Sequence, residues 1–344
     1  MLNVCMVGHG MMGAWHSEGL KGADCQLHTV VGRQPGGVVR PQSGRVPEST
    51  AEFAARYGYA KCTTSFDEAL NDPEIDIVIL ATPSETHADM ALASLEHGKH
   101  TLVEIPIAMN LEGAERVVDT ARQRGLTLGV VHPMRFRQER REMVERVGRG
   151  DERVTHVHGR FFIHRLENVG ATGLQRTWTD NLLWHHTTHL VDVGLWTVSG
   201  GDMATADERI RDIYSFVPAV DERTGIPMEL ALVVETRDDQ AVVCTGSYYA
   251  HHRIYDVLTV SDHDDYYVDE LRATLTTGQG ESPIANEQEN AQQIAPEFVE
   301  AVKDGREPAV PGWSVLPTMR VLHRAQETWD AKYGKQLLPG RPVT

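Results

Sequence analysis

Leu2-Asn3-Val4-Cys5-Met6-Val7-Gly8-His9-Gly10-Met11-Met12-Gly13 opens the chain and decides its fold. The first six residues are a short apolar run of strand character. A Gly-x-Gly-x-x-Gly turn follows at once, and a helix-like stretch continues to about Leu20. Gly8, Gly10 and Gly13 let the backbone approach a pyrophosphate closely, and the helix start at Met11 and Met12 presents free N–H groups to it. The spacing alone is a weak signal. Placed between a first strand and a first helix, it predicts a dinucleotide-binding turn rather than a plain glycine turn.

Outward from this turn, strands and helices alternate. His28–Val31 reads as a second strand, and Ser49–Tyr57 and Ser65–Asn71 as helices. Ile75–Ala81 is a buried strand that ends in Thr82-Pro83-Ser84-Glu85-Thr86-His87, and a helix runs from there to Glu96. His100–Val103 is a strand ending at Glu104-Ile105-Pro106; helix 111–124 and strand 126–131 complete the pattern. This is α/β architecture, an N-terminal Rossmann fold with a doubly wound parallel sheet. Ligands of such sheets lie beyond the C-terminal strand ends. Gly8, Gly10, Met11, Met12, Gly13, Arg33, Thr82, Pro83, His87 and Glu104 are therefore the expected cofactor-binding residues. The second strand ends in Gly32-Arg33, with no Asp or Glu to hold a ribose 2′-hydroxyl. Arg33, with Arg40 further along, suits a 2′-phosphate, so NADP is expected as cofactor, with NAD at lower preference.

Beyond residue 150 the pattern changes to strands, at 153–164, 210–217, 228–236, 241–249 and 256–261, with a helix over 184–199. The expectation is a C-terminal α+β domain with a mostly antiparallel open sheet. The domains are read as 1–130, 131–315, and a helix and tail over 316–344 that packs back on the first domain.

The chain has 344 residues and a formal charge of −16, which argues against nucleic acid and anionic membrane as partners. No apolar run reaches membrane-span length, and no signal segment is visible. Four scattered cysteines without a CxxC pair fit a reducing, cytoplasmic setting.

The second notable stretch is Trp184-His185-His186-Thr187-Thr188-His189. On a helix, His185 and His189 lie on one face, one turn apart. Such a pair is a metal clamp, an acid/base pair or a buried structural cluster. A zinc site needs further ligands at metal spacing, and none stands nearby, so no metal is expected.

The rim motifs resemble those of the glucose–fructose oxidoreductase/inositol dehydrogenase family. They are Gly8–Gly13, Ala81-Thr82-Pro83 with His87, Leu95-Glu96-His97-Gly98-Lys99-His100, and Glu104-Ile105-Pro106. The resemblance spans essentially the whole chain. It implies a Rossmann domain, a C-terminal domain whose open sheet forms a homodimer contact, and Glu104 directed into the nicotinamide crevice. The family motif is Glu-Lys-Pro, and here Ile105 stands in place of the lysine that handles the substrate hydroxyl. The family's Asp-x-x-x-His aligns its histidine with His189 and its aspartate with His185.

Three runs resemble one branch of that family: 104–110, 132–136 and 177–189. That branch oxidises the cyclic hemiacetal of 4-carboxy-2-hydroxymuconate-6-semialdehyde to 2-pyrone-4,6-dicarboxylate, in protocatechuate 4,5-cleavage. The resemblance implies His189 as general base, with His185 polarising the substrate. A small anionic dicarboxylate then calls for arginines, and Arg135, Arg137, Arg165 and Arg176 are candidates, with Trp178 stacking on the ring. A sugar or dihydrodiol dehydrogenase of the same family, and a catalytically inactive NADP-sensing regulator, are the alternatives.

Overall fold

The computed structural model describes residues 1–32, 48–168 and 181–334. These fall into two compact units.

The first unit begins with β1 (Leu2–Val7), α1 (Met11–Leu20) and β2 (Cys25–Val31). Then come α2 (Thr50–Tyr57), β3 (Lys61–Thr63), α3 (Phe66–Leu70), β4 (Ile77–Leu80), α4 (His87–Glu96), β5 (His100–Val103), α5 (Leu111–Arg124) and β6 (Leu128–Val130). Local chemistry sets the helix ends. Ser49 and Glu52 form a reciprocal capping box on α2, and Asn110 caps α5, which stops at the left-handed Gly125. The strands pair in parallel, in the order β3-β2-β1-β4-β5-β6. The order reverses between β1 and β4, and crevices in such sheets open at this point. Val4–Val7 and Ile77–Leu80 are buried side by side there, as two-faced burial requires. The short β3 has no apolar signature in the sequence.

The second unit begins with α6 (Gln138–Arg149) and β7 (Val154–His164). After α7 (His186–Val198) and α8 (Ala206–Arg209) come seven strands: β8 (Ile210–Phe216), β9 (Glu229–Thr236), β10 (Ala241–Ser247), β11 (Tyr249–Ser261), β12 (Asp265–Asp269), β13 (Thr274–Thr277) and β14 (Gly280–Pro283). The order is β14-β13-β12-β11-β7-β10-β9-β8, antiparallel throughout except for β10 on β7. Helix α7 lies on β7 and β10 so closely that a Cβ on Gly194 would stand 2.3 Å from Val242 Cγ1. On the other face Tyr214, Val233, Val243 and His158 run across four strands in register. Tyr214 and Phe216 are the large exposed aromatics of the edge strand β8.

Helices α9 (Glu287–Ala291), α10 (Ile294–Asp304) and α11 (Leu316–Tyr333) end the described chain. Their packing differs from the division expected at 315. Helix α10 buries Ile294, Ala295, Phe298 and Val299 in the first unit, against α1 and β5. The stretch after it bonds β6 through Val130 N–H to Val310 O at 2.9–3.0 Å spacing typical of a ladder, here 3.0 Å. Helix α11 packs on α7 and β8 in the second unit instead of returning to the first. The indoles of Trp184 and Trp329 fix it there, donating to Gln326 Oε1 and Pro218 O. Residues 335–344 of the expected tail lie outside the described residues.

Candidate active site

In the first unit, the glycine turn sits where β1, β2 and β4 end. Gly8 N–H donates to Val31 O, and Ala81 N–H donates to Val7 O. Gly8 has φ +98°, and a Cβ there would stand 2.2 Å from Ala81 O. A Cβ on Gly13 would stand 2.2 Å from Gly8 O, whereas Gly10 faces open space. Gly10 is the N-cap of α1 and no side chain caps the helix. The first N–H groups of α1, at Met11 and Met12, are thus left to a ligand, and the open side at Gly10 gives it room. This is the cradle a dinucleotide pyrophosphate fits.

Three rim residues have other work than expected. Glu104 is buried, with its Oε1 2.8 Å from His16 Nε2 of α1. The carboxylate therefore turns onto α1 rather than outward, since a buried carboxylate needs a partner. His87 places Nδ1 2.7 Å from Pro106 O and Nε2 2.9 Å from Thr82 O. It ties the β4 and β5 exits together at Thr82-Pro83 and at the cis bond Ile105–Pro106. Thr82 in turn receives the Thr86 hydroxyl at 2.8 Å. Ile105 is 5% exposed and adds only apolar bulk. Arg33 and Arg40 lie outside the described residues.

In the second unit the histidine stretch departs from the expected single face. Helix α7 begins at His186, and His185 is its N-cap with φ −97° and ψ −84°. His185 therefore does not stack one turn below His189. His186 is the centre of the cluster. Its ring stacks on Phe161 at 3.6 Å, meets His185 at 4.3 Å and bonds Tyr248 Oη through Nδ1 at 2.9 Å. Desolvation pushes its pKa well below the ordinary histidine value, and the nearby His185, Arg165, His189 and Arg253 push it the same way. His186 is thus held neutral beside groups that carry or can carry positive charge.

The arginines separate by partner. Arg135 is 3% exposed and grips Asp192 of α7 with Nε at 2.7 Å and Nη2 at 2.5 Å, while Nη1 donates to Ser314 Oγ at 3.1 Å. Its fork is filled, so it is not available to a substrate carboxylate. Arg137 is also buried, paired with Glu270 and donating to Ala285 O. Arg165 is half-buried beside the cluster, with its guanidinium over the Tyr248 ring at 5.9 Å. Arg176 and Trp178 lie outside the described residues. Sequence reading missed Tyr248 and Arg253. Arg253 comes from the irregular start of β11, where the register on β7 shifts between Tyr249 and Ile254. No linear pattern marks such a shift.

Residues 2–132 match a family described as "Oxidoreductase family, NAD-binding Rossmann fold", and residues 140–281 match "Bacterial oxidoreductases, C-terminal". The chain belongs to this oxidoreductase family. It is an oxidoreductase with an NAD-binding Rossmann fold. The family expected from the rim motifs is the one found. A relative described as 4-carboxy-2-hydroxymuconate-6-semialdehyde dehydrogenase, from Sphingobium sp. strain SYK-6, is 28% identical over 93% of this chain and 96% of its own. Among solved structures, an oxidoreductase from Agrobacterium radiobacter in complex with NAD+, L-tartaric acid and magnesium superposes with TM-score 0.76 at 13% identity, covering 97% of each chain. A levoglucosan dehydrogenase in complex with NADH and levoglucosan gives TM-score 0.72 at 17% identity, covering 95% of this chain and 97% of the other. These two structures share the fold of the family. Among the described residues no helix is long and apolar enough to cross a membrane.

Proposed function

We propose that this oxidoreductase oxidises the cyclic hemiacetal of 4-carboxy-2-hydroxymuconate-6-semialdehyde to 2-pyrone-4,6-dicarboxylate with NADP+, a step of protocatechuate 4,5-cleavage in the cytoplasm. The observation that carries this reading is the second-unit histidine cluster, in which His185 meets His186 at 4.3 Å, His186 bonds Tyr248, Arg165 lies over the Tyr248 ring at 5.9 Å, and the charge of the exposed Arg253 reaches His186. Two guanidiniums match a substrate with two carboxylates, and a neutral polyol has no use for them. The Sphingobium relative supports the choice of substrate, through likeness along nearly the whole chain.

A nicotinamide cofactor, when bound, supplies the hydride acceptor. Everything else falls to side chains. His189 takes the hemiacetal hydroxyl proton, imidazole being the side chain suited to a base at neutral pH. His185 polarises the hydroxyl oxygen. Arg165 and Arg253 hold the carboxylates, with Arg176 and Trp178 assigned to the same substrate from the sequence. Gly8, Gly10, Met11, Met12 and Gly13 receive the pyrophosphate, Thr82, Pro83, His87 and Glu104 frame the rim beside it, and Arg33 receives the 2′-phosphate. Ile105 cannot carry a proton, which leaves the imidazoles to do so.

The cysteines fit a hemiacetal better than a free aldehyde, which needs a thiolate or hydration before hydride can leave. Burial pushes the Cys5 thiol up to about 12 and raises Cys244 and Cys25 as well. A homodimer through the open face of the second sheet covers Tyr214, Val233 and Val243.

Turnover across a substrate panel tests the reading. The carboxylated hemiacetal is expected to be oxidised, and neutral sugars and dihydrodiols left alone. Oxidation of the sugars only would make this a sugar dehydrogenase. Binding of NADPH with oxidation of nothing in the panel would make it a regulator. Arg33→Asp is expected to shift preference towards NAD, and unchanged preference would refute the 2′-phosphate role.

A further inference from the structure

The dinucleotide cradle of the first unit carries one side chain that the glycine spacing does not explain. His9 stands between Gly8 and Gly10, at a position of the turn open to any residue type. Gly8 N–H donates to Val31 O at 2.9 Å, which holds the turn against the end of β2. From there the half-buried His9 ring reaches over Gly32, the residue that follows β2. A Cβ on Gly32 would stand 2.2 Å from His9 Cδ2, 2.4 Å from His9 Nε2 and 2.4 Å from Thr50 Oγ1. The ring is anchored on two sides. Its Nε2 lies 3.2 Å from the Thr50 hydroxyl, and its centroid lies 5.6 Å from that of Phe53, tilted by 44°. Phe53 is fully buried and forms a fixed wall. The second ring nitrogen, Nδ1, has no hydrogen-bond partner among the described residues.

In folds of this kind the adenosine ribose is held at the β2 exit, ordinarily by an acidic side chain. Position 32 does not supply one here, because His9 and Thr50 fill the space its side chain would take. The carboxylates at the start of α2 are engaged as well. Glu52 accepts from the backbone N–H and hydroxyl of Ser49, and Glu48 pairs with Arg56 at 2.6 Å. An imidazole nitrogen donates or accepts according to its tautomer, so it suits a ribose hydroxyl in either sense. We propose that His9 holds the adenosine ribose of the dinucleotide through Nδ1, doing from the glycine turn what an acidic side chain does from the end of β2. Thr50 and Phe53 hold the ring in place for it. This role is the same whether the 2′ carbon carries hydroxyl or phosphate. It therefore stands or falls apart from the role of Arg33 and from the identity of the substrate.

Calorimetry of the full-length protein with the two halves of the cofactor tests it. His9→Phe keeps a flat ring against Phe53 and removes both nitrogens. His9→Asn keeps a polar atom near the place of Nδ1. Affinity for 5′-AMP is expected to fall roughly 10-fold in His9→Phe, the loss of one hydrogen bond, and to stay within about 3-fold of wild type in His9→Asn. Nicotinamide mononucleotide is expected to bind all three proteins alike. Wild-type affinity for 5′-AMP in His9→Phe, or a loss in His9→Asn equal to that in His9→Phe, overturns the proposal. So does an equal loss for both halves of the cofactor, which would make the ring a prop of the turn. If His9→Phe does not fold, nitrogen NMR of ¹⁵N-histidine-labelled wild type decides. The His9 signal, identified by its absence in His9→Asn, is expected to shift with 5′-AMP and not with nicotinamide mononucleotide. A His9 signal unmoved by saturating 5′-AMP overturns the proposal.

Discussion

His186 sits between Phe161 and Tyr248, where a proton would meet both an apolar surround and the charges of Arg165 and Arg253. Its folded pKa lies below the unfolded value near ~6.5, so the unfolded chain binds more protons in the window between them. Its contribution to stability is therefore whole above that window and is lost as pH falls below ~6.5. The unfolding free energy is expected to drop by up to roughly 1.4 kcal/mol per pH unit there. His186→Gln should flatten that slope in urea melts at a series of pH values, and an unchanged slope would contradict the assignment. Arg135 and Asp192 make a second residue-scale case. Removing one partner of a buried pair strands the other charge, so Arg135→Met should cost about 3–5 kcal/mol by denaturant unfolding. A cost under 1 kcal/mol, the size of a surface pair, would show the pair to be solvated. The histidines stood out in the sequence because three in six residues are rare. What each does was not legible there: the roles depend on Tyr248, Arg253 and Phe161, which only the sheet brings near. Arg135 read as a substrate arginine because its partner, Asp192, lies 57 positions away.

At the scale of elements, the turn after β1 was legible in full. Glycine spacing, an apolar strand before it and a helix after it are all local features. The structure adds the reason for two of the glycines, which is backbone closeness: a side chain at Gly8 would need a left-handed φ and would strike Ala81 O. Gly8→Ala is expected to weaken dinucleotide binding at least ~10-fold by calorimetry, with strain of about 1–3 kcal/mol on the fold. Normal affinity in a folded variant would show that the turn does not approach the cofactor. Helix α7 was less legible. The apolar spacing gave the helix, but the start at His186 put His185 in the cap, outside helical geometry. Strand β3, only Lys61-Cys62-Thr63, carries too little pattern to be seen. The packing of α10 and α11 is a tertiary choice made by Phe298 and Trp329, and no local signal separates the two helices.

At the scale of the molecule, the change from alternating strand and helix to successive strands marked the two units correctly in kind. The open face of the second sheet is the feature with a consequence for assembly. Tyr214 and Phe216 are more than half exposed on its edge strand, and Val233 and Val243 continue the apolar surface inward. A second copy of the chain covering that face should give twice the monomer mass in light scattering, and Val243→Asp should return the monomer mass. A wild-type monomer at micromolar concentration would refute the dimer. The proposed base, His189, connects this scale to the first. His189→Asn should lower turnover by ~10²-fold or more while NADP affinity stays near that of wild type.

The proposed reaction can be watched in a single assay. Protocatechuate freshly opened by its 4,5-cleaving dioxygenase is mixed with the purified protein and NADP+, and NADPH and the ring-closed product are followed together. NADPH is expected to form in equal amount with 2-pyrone-4,6-dicarboxylate. An active cleavage enzyme with neither NADPH nor lactone appearing would contradict the account.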